Sequence, residues 1–236
     1  MEDIKKNFND FNVHARIIPA LLIALPIYIY LVINNLIEFE FYKLFNNSFI
    51  FIIIIALYYK FIRNLGKKYE NKMYKELGEK PTTIVLRYSD NRIDTITKTR
   101  YHKTLNRVIK DIKLPLKKEL ERKEDDEAYK SAANWIRNYA NSNKEREQRV
   151  YQELKDYNFW RNLYGGKIII TISCLITILI ESIKLIVLKK NDFQSVLPLI
   201  TMVSILLINF LVVRKEYVKE KAFDYAITLM EVCERI

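Results

Sequence analysis

The chain has 236 residues, half of them apolar, and 39 Lys/Arg against 28 Asp/Glu give it a formal charge of +11. Its mean hydropathy is nevertheless close to zero, so apolar and charged residues must be segregated along the chain, which excludes an evenly mixed globular domain. Two cysteines far apart in sequence, Cys174 and Cys233, exclude a disulfide framework and a cysteine metal site.

Residues 1–16 mix charges with Phe8, Phe11 and Val13. They read as a short amphipathic helix or a loose N-terminal arm. Residues 17–37 form an uncharged apolar run. A helix of that length at ~1.5 Å per residue spans ~31 Å, the thickness of a hydrocarbon core. The run is too long for a secretory signal and no small-residue cleavage site follows it. Pro26 lies inside it and predicts a kink. Residues 48–65 form a second span, with Lys60 and Arg63 near its end, where both side chains snorkel to the headgroups. Residues 17–65 thus read as a first transmembrane hairpin.

Residues 66–167 read as a basic helical domain, with 25 Lys/Arg and 16 Asp/Glu, so that it holds most of the net charge. Pro81 predicts a helix start continuing to Tyr88. Asp94 predicts an N-cap for a helix through Lys110. Pro115 breaks the chain, residues 117–127 read as a solvated charged run, and helices follow over 126–141 and 144–164. Residues 168–213 form a second hairpin, with spans at 168–188 and 196–213. Residues 214–236 read as a C-terminal amphipathic helix, with Val218, Ala222, Tyr225, Leu229, Val232 and Ile236 at heptad spacing. That seam fits either packing on its own domain or a bundle joining subunits. The chain has four glycines, none inside a span, so glycine-mediated close packing is not expected. The fold class is all-α: an integral membrane protein with four transmembrane helices in two hairpins and a helical domain between them. Lys and Arg are richer beyond the hairpin ends than in the loop at 38–47, though Lys189 and Lys190 run against the pattern. The bias places both termini and the central domain in the cytoplasm of a multi-pass inner-membrane protein.

Two constellations carry chemistry. Arg100, Lys103, Arg107 and Lys110 recur at spacings that put four cations on one helix face with no acid between them. Like charges so placed repel unless an anion relieves them, and the phosphates of an oligonucleotide do so. A solvated basic face near anionic lipid fits the same pattern. Arg87, Lys98, His102 and Arg161 extend the patch. Tyr88, Tyr101, Tyr157 and Trp160 fit either base stacking or a core. In the third span, Thr171, Cys174, Thr177, Glu181 and Lys184 form a polar stripe. It reads either as the lining of a pore in an oligomer, with Glu181 as a carboxylate ring, or as a pair marking the membrane boundary. Neither a phosphate-binding glycine loop nor a nucleophile elbow occurs, and His14 and His102 are isolated. The chain is expected to be no enzyme and to need no cofactor or metal.

Several stretches together resemble a known family: Ala15-Arg16-Ile17-Ile18-Pro19-Ala20-Leu21, Lys80-Pro81-Thr82-Thr83, Leu86-Arg87-Tyr88-Ser89-Asp90, Thr97-Lys98-Thr99-Arg100-Tyr101-His102, and Phe159-Trp160-Arg161-Asn162-Leu163-Tyr164-Gly165. The chain resembles the transmembrane effectors of the Hailong anti-phage system, which pair with a nucleotidyltransferase encoded nearby. The resemblance implies a tetrameric channel of the bacterial inner membrane, held closed by single-stranded DNA oligomers on its cytosolic domain. It implies opening on infection, depolarisation of the cell, and an N-terminal plug that maps onto residues 1–16, with Phe8 and Phe11 as its apolar side chains. Two alternatives stay open: a channel effector opened by a nucleotide second messenger, and a non-channel membrane scaffold for a cytosolic enzyme.

Overall fold

A computed structural model describes residues 10–34, 48–122, 124–189 and 193–236. The described elements are helical throughout. A turn at Asp10–Asn12 and a π-helical turn at Val13–Ile17 lead directly into α1 (Ile18–Ile33), and α2 (Ser48–Leu77) follows. The short α3 (Pro81–Ile84), α4 (Thr95–Val108), α5 (Asp125–Ser142) and α6 (Gln148–Gly165) come next. Then come α7 (Lys167–Leu188), α8 (Phe193–Val212) and α9 (Lys215–Met230), closed by a 3-10 turn at Glu231–Glu234. Helices covering Asp10–Ile33, Gln148–Leu188 and Ser195–Val212 are long and apolar enough to cross a membrane. The expected span at 48–65 lies on α2, and the side chains of residues 48–54 are outside the description.

Local chemistry sets the boundaries. Asp94 caps α4 as expected, its carboxylate accepting from Thr97 N at 2.9 Å. Pro81 opens α3 at N1, but α3 stops at Ile84 instead of reaching Tyr88. Three acids in the first turn of α5, Asp125, Asp126 and Glu127, face the positive end of its dipole. Its buried residues, Tyr129, Ala132, Ala133, Ile136 and Ala140, follow one helical stripe. Gly78 ends α2 at φ 82°, where a side chain would be strained. The helix expected from 144 begins at Gln148.

The chain divides into two compact units. The apolar unit comprises residues up to Glu70 together with Asn158–Val218, and the polar unit comprises Asn71–Tyr157 together with Lys219–Ile236. The expected boundaries differ: they give residues 66–70 and 158–167 to the basic domain and set 219–236 apart from it.

In the apolar unit, α7 packs along α8 and against α1. Ile23, Ile62, Cys174 and Met202 are fully buried at its centre. Where α2 meets α6, a Cβ on Gly165 would lie 2.4 Å from Gly66 N and 2.6 Å from Gly66 Cα. Two helix backbones touch there, an approach only glycine permits. Glycine-mediated close packing is therefore present after all, just beyond the runs read as spans. Beside it, Asn162 Nδ2 donates to Ala15 O at 2.7 Å. Ala15 belongs to the π-helical turn, which departs from the regular hydrogen-bond ladder. The arm is thus helical from residue 10 and tied to α6. Phe8 lies outside the described residues; Phe11 is half-buried, with the Arg16 guanidinium 5.6 Å from its ring centroid.

In the polar unit, α9 is buried almost all round. Ala222, Tyr225, Leu229 and Val232 of the expected seam are covered, and so are Phe223, Ala226, Met230 and Cys233 off it. The heptad pattern is therefore satisfied within this chain. Arg235 closes the C-terminal turn onto Glu147, donating from Nη2 at 2.5 Å.

Candidate polyanion interface

The basic helix α4 divides its charges between inside and outside. Lys98, Tyr101, His102 and Leu105 form its buried side. Lys98 is 1% exposed, and its ammonium donates to the carbonyls of Arg87 and Asp90. Burial pulls that ammonium below its ordinary range, against the attraction of the carboxylates of Asp90, Glu121 and Asp94. His102 is fully buried, its ring between Leu86 O at 2.9 Å and Pro115 O at 2.6 Å. Burial is the largest influence on it and holds its pKa below the usual value, in spite of those two acceptors. Tyr101 is buried too, and burial raises its phenol. Lys98, Tyr101 and His102 are therefore corrected from ligand contacts to supports of the core: each is covered by protein. Tyr88 and Tyr157 are likewise core residues.

Outside, Arg100, Lys103, Arg107 and Lys110 are exposed. Arg100 is not unpaired: its Nη2 lies 3.2 Å from Glu234 Oε1, in an exposed pair of small energetic weight. Lys103, Arg107 and Lys110 have no ion-pair partner among the described residues. The loop beyond α4 is anchored by Asn106, whose carboxamide donates to Leu114 O at 2.9 Å and accepts from Leu114 N at 2.7 Å. That pair of bonds holds the segment carrying Lys110 against the helix.

Arg87 points to a different feature. It grips Asp126 through Nε at 2.8 Å and Nη2 at 2.7 Å, a bidentate pair. These two, with Ser89, Glu121, Arg122 and Tyr129, line an open cleft of about 430 Å³. Of these, Glu121 is held in place by three donors, accepting from Tyr88 N at 2.7 Å, Ser89 N at 3.2 Å and Tyr129 Oη at 2.8 Å. Burial, followed by that carboxylate, holds the Tyr129 phenol above its ordinary range. Sequence reasoning treats residues 117–127 as a solvated run and misses the cleft. Only the tertiary fold supplies the two backbone donors that hold Glu121. Arg161 belongs to neither feature. It lies in the apolar unit, 5% exposed, with Nη1 3.0 Å from Glu70 Oε1.

The polar stripe of α7 is placed as firmly. Cys174, Thr177 and Glu181 are buried in the apolar unit. Glu181 Oε1 accepts from Tyr30 Oη and from Lys184 Nζ, each at 2.7 Å. Lys184 also donates to Asn34 Oδ1 at 3.4 Å. Thr171 Oγ1 accepts from Asn209 Nδ2 at 3.1 Å. Of the expected pore lining, Cys174, Thr177 and Glu181 are thus covered by their own chain, whereas Thr171 and Lys184 are only half-buried, with their polar ends turned to Asn209 and to Tyr30 and Asn34. Glu181, 4% exposed, thus has its carboxylate paired inside its own chain. Among the described residues no cluster of His, Cys, Asp and Glu is arranged to hold a metal ion.

Comparison with protein families, with curated proteins and with solved structures finds no match.

Proposed function

We propose that the chain is an anti-phage membrane effector: an oligomeric channel of four spans in two hairpins, held closed by single-stranded DNA oligomers bound to its polar unit. The observation that carries the reading is the outer row of α4. There Lys103 and Arg107 of the helix, and Lys110 in the turn just past its end at Val108, are exposed and unpaired among the described residues beside Arg100, an arrangement that a chain of phosphates would relieve. A bound oligomer would bias the closed state by the amount that it binds that state more tightly. The ligand's supplier would be a nucleotidyltransferase, and the assembly a tetramer, as the resemblance implies.

A test uses the full chain in lipid nanodiscs with fluorescently labelled DNA oligomers. The triple substitution Lys103→Glu, Arg107→Glu, Lys110→Glu is expected to lower affinity by at least about tenfold. It should also flatten the salt dependence by about 0.7 in log–log slope for each phosphate no longer neutralised. Unchanged anisotropy curves would sink the interface. In liposomes, wild-type ion flux should fall when the oligomer is added, whereas a second-messenger channel would give the opposite sign with a nucleotide.

A second reading, a membrane scaffold without a pore, draws on the burial of Cys174, Thr177 and Glu181 inside one chain. It predicts no flux under either ligand and a monomer by native mass spectrometry.

A further inference from the structure

The apolar unit carries a groove of about 330 Å³. Its walls come from Leu22, Leu25 and Pro26 of α1, Phe159 and Trp160 of α6, and the C-terminal turns of α8. Leu22, Leu25, Ile208 and Val212 line the groove and are also exposed, so it opens on the same apolar surface that a bilayer would wet. One residue breaks the pattern. Asn209 lines the groove and is 3% exposed. Its Nδ2 donates to Thr171 Oγ1, but its Oδ1 is buried and receives no hydrogen bond. An acceptor enclosed by apolar walls calls for a donor. At the same end of the unit stand two cations. Lys167 Nζ donates to Val213 O at 2.6 Å and lies 4.9 Å from the Phe210 ring centroid, and Arg214, next in sequence to the groove residue Val213, is exposed.

We propose that this groove binds an anionic glycerophospholipid whose headgroup carries free hydroxyls, the chemistry of phosphatidylglycerol. One acyl chain lies against Leu22, Leu25 and Ile208. The phosphate is held at the Lys167 and Arg214 end, where α7 begins and α8 stops. A headgroup hydroxyl donates to Asn209 Oδ1. Each part of the ligand answers a separate feature: apolar walls, an unmet acceptor and a cationic rim. A choline headgroup supplies no donor and no net negative charge, so the site distinguishes the two lipids.

Trp160 reports directly on occupancy. The chain has two tryptophans, Trp135 and Trp160, so Trp135→Phe leaves the groove residue as the sole tryptophan, excited selectively over the tyrosines. The full chain carrying that substitution is reconstituted in phosphatidylcholine vesicles, with increasing fractions of acyl-brominated phosphatidylglycerol or acyl-brominated phosphatidylcholine. The glycerol lipid is expected to quench saturably, with its midpoint at about tenfold lower mole fraction, the size of one buried hydrogen bond with charge assistance. Asn209→Leu should remove most of that preference and Arg214→Gln part of it, with helicity by circular dichroism unchanged. Equal, non-saturating quenching by the two lipids would overturn the site. So would a preference untouched by both substitutions, or no quenching by either lipid, which would mean that protein covers the groove. Should Asn209→Leu fail to fold, Arg214→Gln, at an exposed position, decides alone.

Discussion

His102 stands between the carbonyls of Leu86 and Pro115, with Tyr88 edge-on at 5.1 Å and Tyr129 tilted at 5.5 Å. A neutral imidazole donates to one of these carbonyls; protonation would supply the second N–H at the expense of a buried charge. Burial dominates, so the folded pKa lies below the ordinary 6.5. The unfolded chain then binds more protons as pH falls. The stabilising contribution is therefore complete above about pH 6.5 and is lost as pH drops through the depressed folded value. Thermal melts of wild type and His102→Gln between about pH 7.5 and about pH 5 should diverge on the acid side, with the wild type losing more. Parallel profiles would remove His102 as the source. The sequence told less at this scale. Arg100, Lys103 and Lys98 are all cations of one helix, and spacing gives the faces. Nothing local announces that the carbonyls of Arg87 and Asp90 arrive to bury Lys98, because residues 87–90 are placed by tertiary packing.

Among the elements, helix existence was more legible than helix extent. Asp94 caps α4 where its side chain predicts, since an N-cap bond reaches only three residues along the chain. α3 stops at Ile84, although Pro81 opens it as expected. The crossing of α2 and α6 was hidden for another reason: Gly66 and Gly165 are far apart in sequence, and their approach is meaningful only as a pair. A Cβ at Gly66 would fall 2.3 Å from Asn162 Oδ1, the far end of a side chain, but also 3.0 Å from Asn162 Cα. A Cβ at Gly165 meets backbone alone. Gly165→Ala should therefore destabilise the apolar unit by on the order of 2–4 kcal/mol, and more than Gly66→Ala. Denaturation in detergent micelles measures both; a Gly165→Ala protein as stable as wild type would show that the helices part freely.

For the whole molecule, composition alone announced an all-helical chain with segregated apolar helices, because uncharged runs of that length have few other solutions. It did not announce the division into units. The polar unit takes in Lys219–Ile236, and the heptad spacing of that segment was equally compatible with an intersubunit bundle. The burial of Ala222, Phe223, Tyr225, Ala226, Leu229 and Met230 shows this segment packing on its own chain. Deleting residues 219–236 should accordingly cost the polar unit its cooperative structure and not merely its partners. The deletion uncovers core residues and strips Glu147, 2% exposed, of Arg235. Limited proteolysis should then cleave within 71–157 at rates at least about tenfold above wild type; equal resistance would show that the segment is dispensable.

The composite nature of that unit also restricts how the chain can thread a bilayer. Residues 71–157 and 219–236 share one fold, and α7 and α8 separate them in sequence. The path between the two stretches can therefore cross the membrane twice or not at all, but never once. A topology in which only one of the two apolar helices inserts would leave the polar unit's pieces in different compartments. Insertion of α7 without α8 would therefore be incompatible with one folded polar unit.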